Sequence, residues 1–269
     1  MDKLETLRGI VRQMDSVVVA YSGGLDSAFV LAVAHAELGG RALGLTAVSP
    51  SLPERERQDA ERIALALGAQ HRFVHSEEIH NPAYAANPSN RCFHCKSELY
   101  SITSRIQRDE GFAHVVNGTN LDDLGDYRPG LEAAREAGVR SPLVEAELSK
   151  AEVRELARGL GLSFWDKPAA ACLSSRIPYG TPVTRERLSQ VEQLEDALLA
   201  LGLRQLRVRH HERLARVEVA RDELARAFEL RDEIVRAGKA AGYTYVSLDL
   251  SGYVSGSLNA VLPVLNNNR

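Results

Sequence analysis

The chain is expected to fold as an α/β protein, a doubly wound parallel sheet followed by a second, smaller α/β domain. Three features predict this. Short apolar runs alternate with amphipathic stretches from residue 17 to residue 160, the pattern of strands joined by crossover helices. The first run leads through Tyr21-Ser22-Gly23-Gly24-Leu25-Asp26-Ser27 into a helix, so a tight glycine turn joins a strand to a helix N-terminus. The alternation then breaks at Phe164-Trp165-Asp166-Lys167-Pro168. A boundary between residues 166 and 184 divides the chain into domains 1–170 and 171–269.

Leu4, Leu7 and Val11 recur at helical spacing, so residues 2–14 read as a lead-in helix. Val17-Val18-Val19-Ala20 is β-branched and apolar, a buried strand. The helix after the glycine turn, over 28–34, ends near Gly39-Gly40. Residues 41–48 read as a second strand, which ends in Ser49-Pro50-Ser51 at the edge where doubly wound sheets bind ligands. A helix over 53–67 closes at Gly68, and 71–75 is a third strand. The polar stretch 81–90 reads as a loop delivering Arg91-Cys92-Phe93-His94-Cys95-Lys96, and a helix over 97–108 follows. Strand 113–117 leads into Gly118-Thr119-Asn120-Leu121-Asp122-Asp123 and then Asp126-Tyr127-Arg128-Pro129-Gly130. This polar run suits a nucleotide or metal, and suits equally a capped turn into a helix at 131–137. Residues 141–144 read as a fifth strand. Ser149 and Glu152 form a capping box for a helix over 150–160. The second domain reads as a helix over 184–201, a hairpin of 204–210 with 214–220, a helix over 222–241 and a strand over 243–248, with the end of the chain, 266–269, frayed.

Bulk properties narrow the function classes. A chain of 269 residues with 44% hydrophobic content can bury a full core. Its apolar runs fall short of a membrane span, and its first residues have no signal-peptide character, so a cytoplasmic protein is expected. A net charge of −3 argues against nucleic acid as the main partner. Three cysteines, in such a compartment, read as metal or redox ligands rather than a disulfide framework.

The glycine turn is built for an anion. Unpaired amides and the dipole at a helix N-terminus favour negative charge, and Gly23 and Gly24 let a phosphate approach the backbone. Ser22 and Ser27 add hydroxyls, while Asp26 can cap the helix or hold a metal on the phosphates. The turn lacks the lysine of the G-x-x-x-x-G-K-[ST] loop. Cys92-x-x-Cys95 could bind zinc, ligate iron–sulfur or do redox work; for zinc, Cys172 would be a third ligand, with His94 or His75 a fourth. Three thiolates without a fourth suit a cubane cluster with one open iron. Arg207 and Arg209, two apart on a strand, share a face and could grip a phosphate, or pair with Glu212 or Glu218 as a solvated face.

Ser22-Gly23-Gly24-x-Asp26-Ser27 resembles the PP-loop of the ATP pyrophosphatases, which have an adenine nucleotide alpha hydrolase-like fold. Lys167-Pro168-Ala169-Ala170-Ala171-Cys172-Leu173-Ser174-Ser175-Arg176-Ile177-Pro178-Tyr179-Gly180, with Arg91-Cys92-x-x-Cys95-Lys96, is similar to the LarE family. The resemblance runs nearly end to end and includes 207–211 and 215–219. It implies an ATP- and Mg²⁺-dependent sulfurtransferase that adenylates pyridinium-3,5-biscarboxylic acid mononucleotide and converts its carboxylates to thiocarboxylates for the nickel-pincer nucleotide. It further implies nucleotide binding by Ser22, Gly23, Gly24, Asp26, Ser27, Gly118, Asn120 and Asp123, catalytic roles for Asp26, Lys150, Cys172 and Arg176, and substrate binding by Arg207, Arg209 and Glu218. Members with three cysteines hold a 4Fe–4S cluster, here Cys92, Cys95 and Cys172; others sacrifice one cysteine, here Cys172. A homo-oligomer, a sulfur donor and other nickel-pincer biosynthesis proteins as partners are also implied. A tRNA thiolase, a non-enzymatic ATP-binding protein and an amidating synthetase are the rival readings.

Overall fold

The computed structural model describes residues 2–125, 129–168 and 170–254. The expected frayed end at 266–269, and Asp126, Tyr127, Arg128 and Ala169 of the motifs above, lie outside the described residues. The elements run α1 (Lys3–Arg12), β1 (Val17–Ala20), α2 (Leu25–Leu38), β2 (Ala42–Val48), α3 (Glu54–Leu67), β3 (Gln70–His75), α4 (Pro82–Ala85), α5 (Arg91–Glu110), β4 (His114–Val116), α6 (Pro129–Glu136), α7 (Pro142–Glu145) and α8 (Lys150–Gly159). They continue with α9 (Arg185–Ala200), β5 (Leu206–His211), β6 (Leu214–Val219), α10 (Leu224–Glu229), α11 (Arg231–Ala240) and β7 (Tyr245–Leu248). Two compact units result: residues 1–78 with 90–170, and residues 79–89 with 171–269. The segment carrying α4 thus belongs with the second unit, although it lies within the first unit's span of sequence.

The first unit is a parallel sheet in the order β3-β2-β1-β4. The α/β fold class expected from the sequence is therefore present. Strand β1 alternates between two layers, as a period of two requires. Val17 and Val19 join Leu7, Phe29, Leu31, Ile63 and Val153 in a core carried by α1, α2, α3 and α8. Val18 packs with Leu43, Leu45, Val115 and Ile106, and Ala20 with Tyr100, Ala133 and Ala134, so α5 and α6 cover those positions. Because both faces are covered, the central strand is apolar throughout rather than alternating.

Residues 141–144 do not form the expected fifth strand. Pro142 opens the helical turn α7, where its fixed φ and missing N–H suit a first helical position. Strand character survives only as an isolated bridge between Val116 and Arg140. Helix α5 begins at Arg91, so Cys92 and Cys95 sit in helix rather than in the expected loop. The expected single helix 222–241 is a 3-10 turn followed by α10 and α11, broken at Leu230.

The second unit holds a mixed sheet in the order β5-β6-β7, antiparallel then parallel. Helix α9 packs on β5 and α11 on β7. Leu188, Val191, Leu194, Leu198, Val208, Val217, Val219 and Ile234 are buried. His210 is buried with them, its Nδ1 3.1 Å from the Tyr243 hydroxyl. Among the described residues no helix is long and apolar enough to cross a membrane.

Burial, then the positive charges of Arg187 and His211, pull the His210 pKa down from 6.5 to about 4. The unfolded chain therefore takes up this proton at a higher pH than the native one. Its contribution to stability is full above pH 6.5 and lost as pH falls through about 4. Urea unfolding across that window should show a loss of about 3 kcal/mol, and His210→Phe should flatten the slope.

Candidate functional site

In the first unit the strand order turns at β1, with β2 and β3 on one side and β4 on the other. The loops leaving the carboxyl ends of β1 and β4 meet at this switch point, the place where open α/β sheets take ligands. The β1 loop is internally braced. Ser22 N donates to Ser27 Oγ at 3.2 Å, and Ser27 Oγ donates to Gly24 O at 3.2 Å. Gly23 has a φ of 73°, and a Cβ there would stand 2.8 Å from Ala60 Cα. The Tyr21 hydroxyl also donates to Ala60 O, so α3 holds the loop from one side. Gly24 caps α2 with no side-chain hydrogen bond, an arrangement at a helix N-terminus that suits an anion.

The β4 loop closes the other wall. A Cβ on Gly118 would lie 2.5 Å from Ser27 N, so only glycine lets the two loops touch. Asn120 is fully buried, and its Nδ2 donates to Asp26 Oδ1 at 3.2 Å. Lys150 Nζ reaches Asp26 Oδ2 at 3.3 Å from the start of α8. Asn120 N donates to Asp123 Oδ2 at 3.1 Å, and Lys150 N to Asp122 Oδ2 at 2.8 Å. The capping box of Ser149 and Glu152 is formed. Ser22, Gly23, Gly24, Asp26, Ser27, Gly118, Asn120, Asp123 and Lys150 are thus gathered in one place. Asp122, not singled out from the sequence, ties the β4 loop to α8.

The second unit organises the Cys172 segment. Cys172 precedes a 3-10 turn, Leu173–Arg176, and its thiol is exposed. Beneath it, Arg176 is 1% and Glu195 0% exposed. Arg176 Nε and Nη2 donate to Glu195 at 2.9 and 3.1 Å, and Nη1 donates to Ala171 O, Cys172 O and Ser175 Oγ. Glu195 also accepts Val208 N of β5 at 3.0 Å. Arg176, given a catalytic role by the resemblance, is placed as the strut under the cysteine, its buried guanidinium bonded on every nitrogen. The segment 79–89 adds a strap. Tyr84 and Ser174 hydroxyls lie 2.6 Å apart, and Asn87 Nδ2 donates to Ile177 O, Pro178 O and Thr181 O.

Arg209 is likewise turned inward, donating to both Glu218 oxygens at 3.0 and 2.8 Å and to Ser175 O at 2.8 Å. Glu218 is 2% exposed and also accepts from Arg216. Arg209 and Glu218 therefore brace the platform, tying β5 to β6 and to the Cys172 turn. Arg207 is the less buried of the strand's arginine pair.

Cys92 is exposed and Cys95 half-buried, three apart in the first turns of α5 and so on one side of it. A hollow of about 240 Å³ lined by Asn90, Phe93, Pro129 and Glu132 opens on the same turn. Cys92 and Cys95 belong to the first unit and Cys172 to the second. Among the described residues neither unit by itself gathers three metal-ligating side chains. His75 and His94 are therefore in no such group.

No family model matches the chain. It is 36% identical over 261 residues, 97% of this chain and 95% of the relative, to the pyridinium-3,5-bisthiocarboxylic acid mononucleotide synthase of Lactiplantibacillus plantarum. The chain belongs to that synthase's family, the LarE family. Uncharacterized protein slr1717 of Synechocystis sp. is 47% identical over 97% of this chain and 98% of its own length. One subunit of the glutamine-hydrolyzing GMP synthase of Archaeoglobus fulgidus is 26% identical over 61% of this chain and 55% of its own. That shorter likeness accords with a shared PP-loop fold.

For this LarE-family chain, sequence reasoning missed Glu195, Asp122, Tyr84 and Asn87. Glu195 alone carried a usable signal: it lies four residues after Val191 on a stripe with Leu188 and Leu198, and a carboxylate on an apolar stripe needs a buried partner. Gly118→Ala should lower ATP-dependent activity about 10-fold, because the displaced loop loses its pre-set amides, with the thermal midpoint showing that the fold persists.

Proposed function

We propose that the protein is an ATP-dependent sulfurtransferase that converts the carboxylates of pyridinium-3,5-biscarboxylic acid mononucleotide into thiocarboxylates for the nickel-pincer nucleotide. The observation that carries this reading is the end-to-end likeness to the Lactiplantibacillus plantarum synthase. The glycine turn at the uncapped start of α2 supports it, because adenylation needs a place for the phosphates of ATP. A carboxylate is a poor acylating agent until its oxygen becomes part of a good leaving group. Attack of a substrate carboxylate oxygen on the α-phosphorus of ATP releases pyrophosphate and leaves an acyl-adenylate. Loop amides at the start of α2 and Lys150 meet the charge on the phosphates, and Asp26 is the carboxylate available to hold Mg²⁺. Sulfur then attacks the acyl carbon and AMP departs. Arg207 takes the substrate phosphate, held in register by Arg209 and Glu218.

For the sulfur source we favour a 4Fe–4S cluster held by Cys92, Cys95 and Cys172. The donor set fits: two thiols share one side of α5, and a third stands exposed on a braced turn. Such a cluster supplies an open iron on which sulfur can be carried. The exposed Cys172 thiol also supports a second reading, in which Cys172 gives up its own sulfur and becomes dehydroalanine. A homo-oligomeric state, a sulfur donor and other nickel-pincer biosynthesis proteins as partners belong to the same proposal.

Incubation with ATP and the biscarboxylic mononucleotide should yield pyrophosphate, AMP and a thiocarboxylate seen by mass. Lys150→Met should lower kcat roughly 10²-fold. ATP binding without pyrophosphate release would overturn the enzymatic reading. Anaerobically purified protein should contain iron and labile sulfide that Cys92→Ala loses. An iron-free protein after reconstitution, with Cys172 lighter by one H₂S after turnover, would assign the sulfur to Cys172 instead.

A further inference from the structure

Three guanidinium groups crowd one face of the second unit. Burial, then the charge of Arg176, push the Arg207 pKa down; Glu195 and Tyr253 work against them, and Arg209 adds a smaller push down. Arg176 is gripped by Glu195, and Arg209 by Glu218. Arg207 meets an aromatic ring. Its Nη1 donates to Leu206 O at 2.7 Å, and its guanidinium carbon lies 5.2 Å from the centroid of the Tyr253 ring.

Tyr253 is delivered to this position by its backbone. Its N–H donates to Val219 O at 2.7 Å, beside the strand end that pairs with β5. The residue before it, Gly252, has a φ of 70°, and a Cβ there would stand 2.9 Å from Val219 O. The turn after β7 is thus pinned against the end of β6, directing the ring at Arg207.

The chemistry of this contact differs from that of the neighbouring ion pairs. An aromatic face attracts a guanidinium through its quadrupole and brings no net negative charge. A carboxylate in the same place would also hold the side chain, but would repel an arriving phosphate. We propose that Tyr253 is a positioning residue that presents the Arg207 guanidinium to the phosphate of the substrate mononucleotide. This rests on the reading above in which Arg207 binds that phosphate.

The test is steady-state pyrophosphate release against mononucleotide concentration for Tyr253→Leu, Tyr253→Phe, Arg207→Met and Tyr253→Leu combined with Arg207→Met, each checked by thermal melting. Tyr253→Leu should raise KM about 5-fold while Tyr253→Phe, which keeps the ring, stays at the wild-type value. The kcat of Tyr253→Leu should stay within about twofold, as expected when binding energy common to ground and transition state is removed. In the Arg207→Met background Tyr253→Leu should add nothing, because the two act through one contact. A raised KM for Arg207→Met with an unchanged KM for Tyr253→Leu would overturn the role of Tyr253 and leave the phosphate reading standing. Additive effects, or a Tyr253→Phe as impaired as Tyr253→Leu, would also overturn it. An unchanged KM for Arg207→Met would overturn the phosphate reading itself.

Discussion

Where β4 leaves the sheet, Gly118 lies so close to the start of α2 that any Cβ would fall within 2.5 Å of Ser27 N. On the opposite flank Gly23 meets the backbone of Ala60 just as closely. The geometry of the β1 loop depends on these two approaches. They bring the β1 loop between α3 and the β4 loop and hold its amides in place before any ligand arrives. The parallel sheet makes this possible, since β1 lies between β2 and β4 and the loops part at its carboxyl end. The Asp26 carboxylate in the first turn of α2 is steadied by Asn120 and Lys150, one on each oxygen.

The second unit uses a different device, a buried ion pair that branches. Desolvating Arg176 and Glu195 is costly, and the cost is offset only because their remaining donors and acceptors are used. Those further bonds run to the Cys172 turn and to β5, so one pair fixes the cysteine against the arginine strand. Removing either partner would leave a charge in the core and release the turn. The second pair, Arg209 with Glu218, extends the same construction across the hairpin and to Ser175. Buried charge here fixes the place of a turn and a strand.

Much of this was legible in the residues because it is local. The glycine turn, the capping box at Ser149 and the spacing of the cysteines each depend on a few neighbours in sequence, and the resemblance to the LarE family rests on such runs. The misreadings also have local causes. Ser141-Pro142-Leu143-Val144 is short and apolar, which strands and helical turns share, and Pro142 at a first helical position decided for the turn. The polar residues before Cys92 suggested loop, yet α5 starts at Arg91.

The sequence by itself determined the α/β class, the anion-binding turn and the residue types of each candidate site, because these follow from periodicity and from what glycine, serine and cysteine can do within a few bonds. Only the tertiary structure decided which partner each of these side chains meets. Arg176, Arg207 and Arg209 look alike in a string of letters. Their surroundings differ once Glu195, Glu218 and Tyr253 arrive from a helix, a partner strand and the turn after β7, since a guanidinium leaving water must meet its partners wherever the fold supplies them.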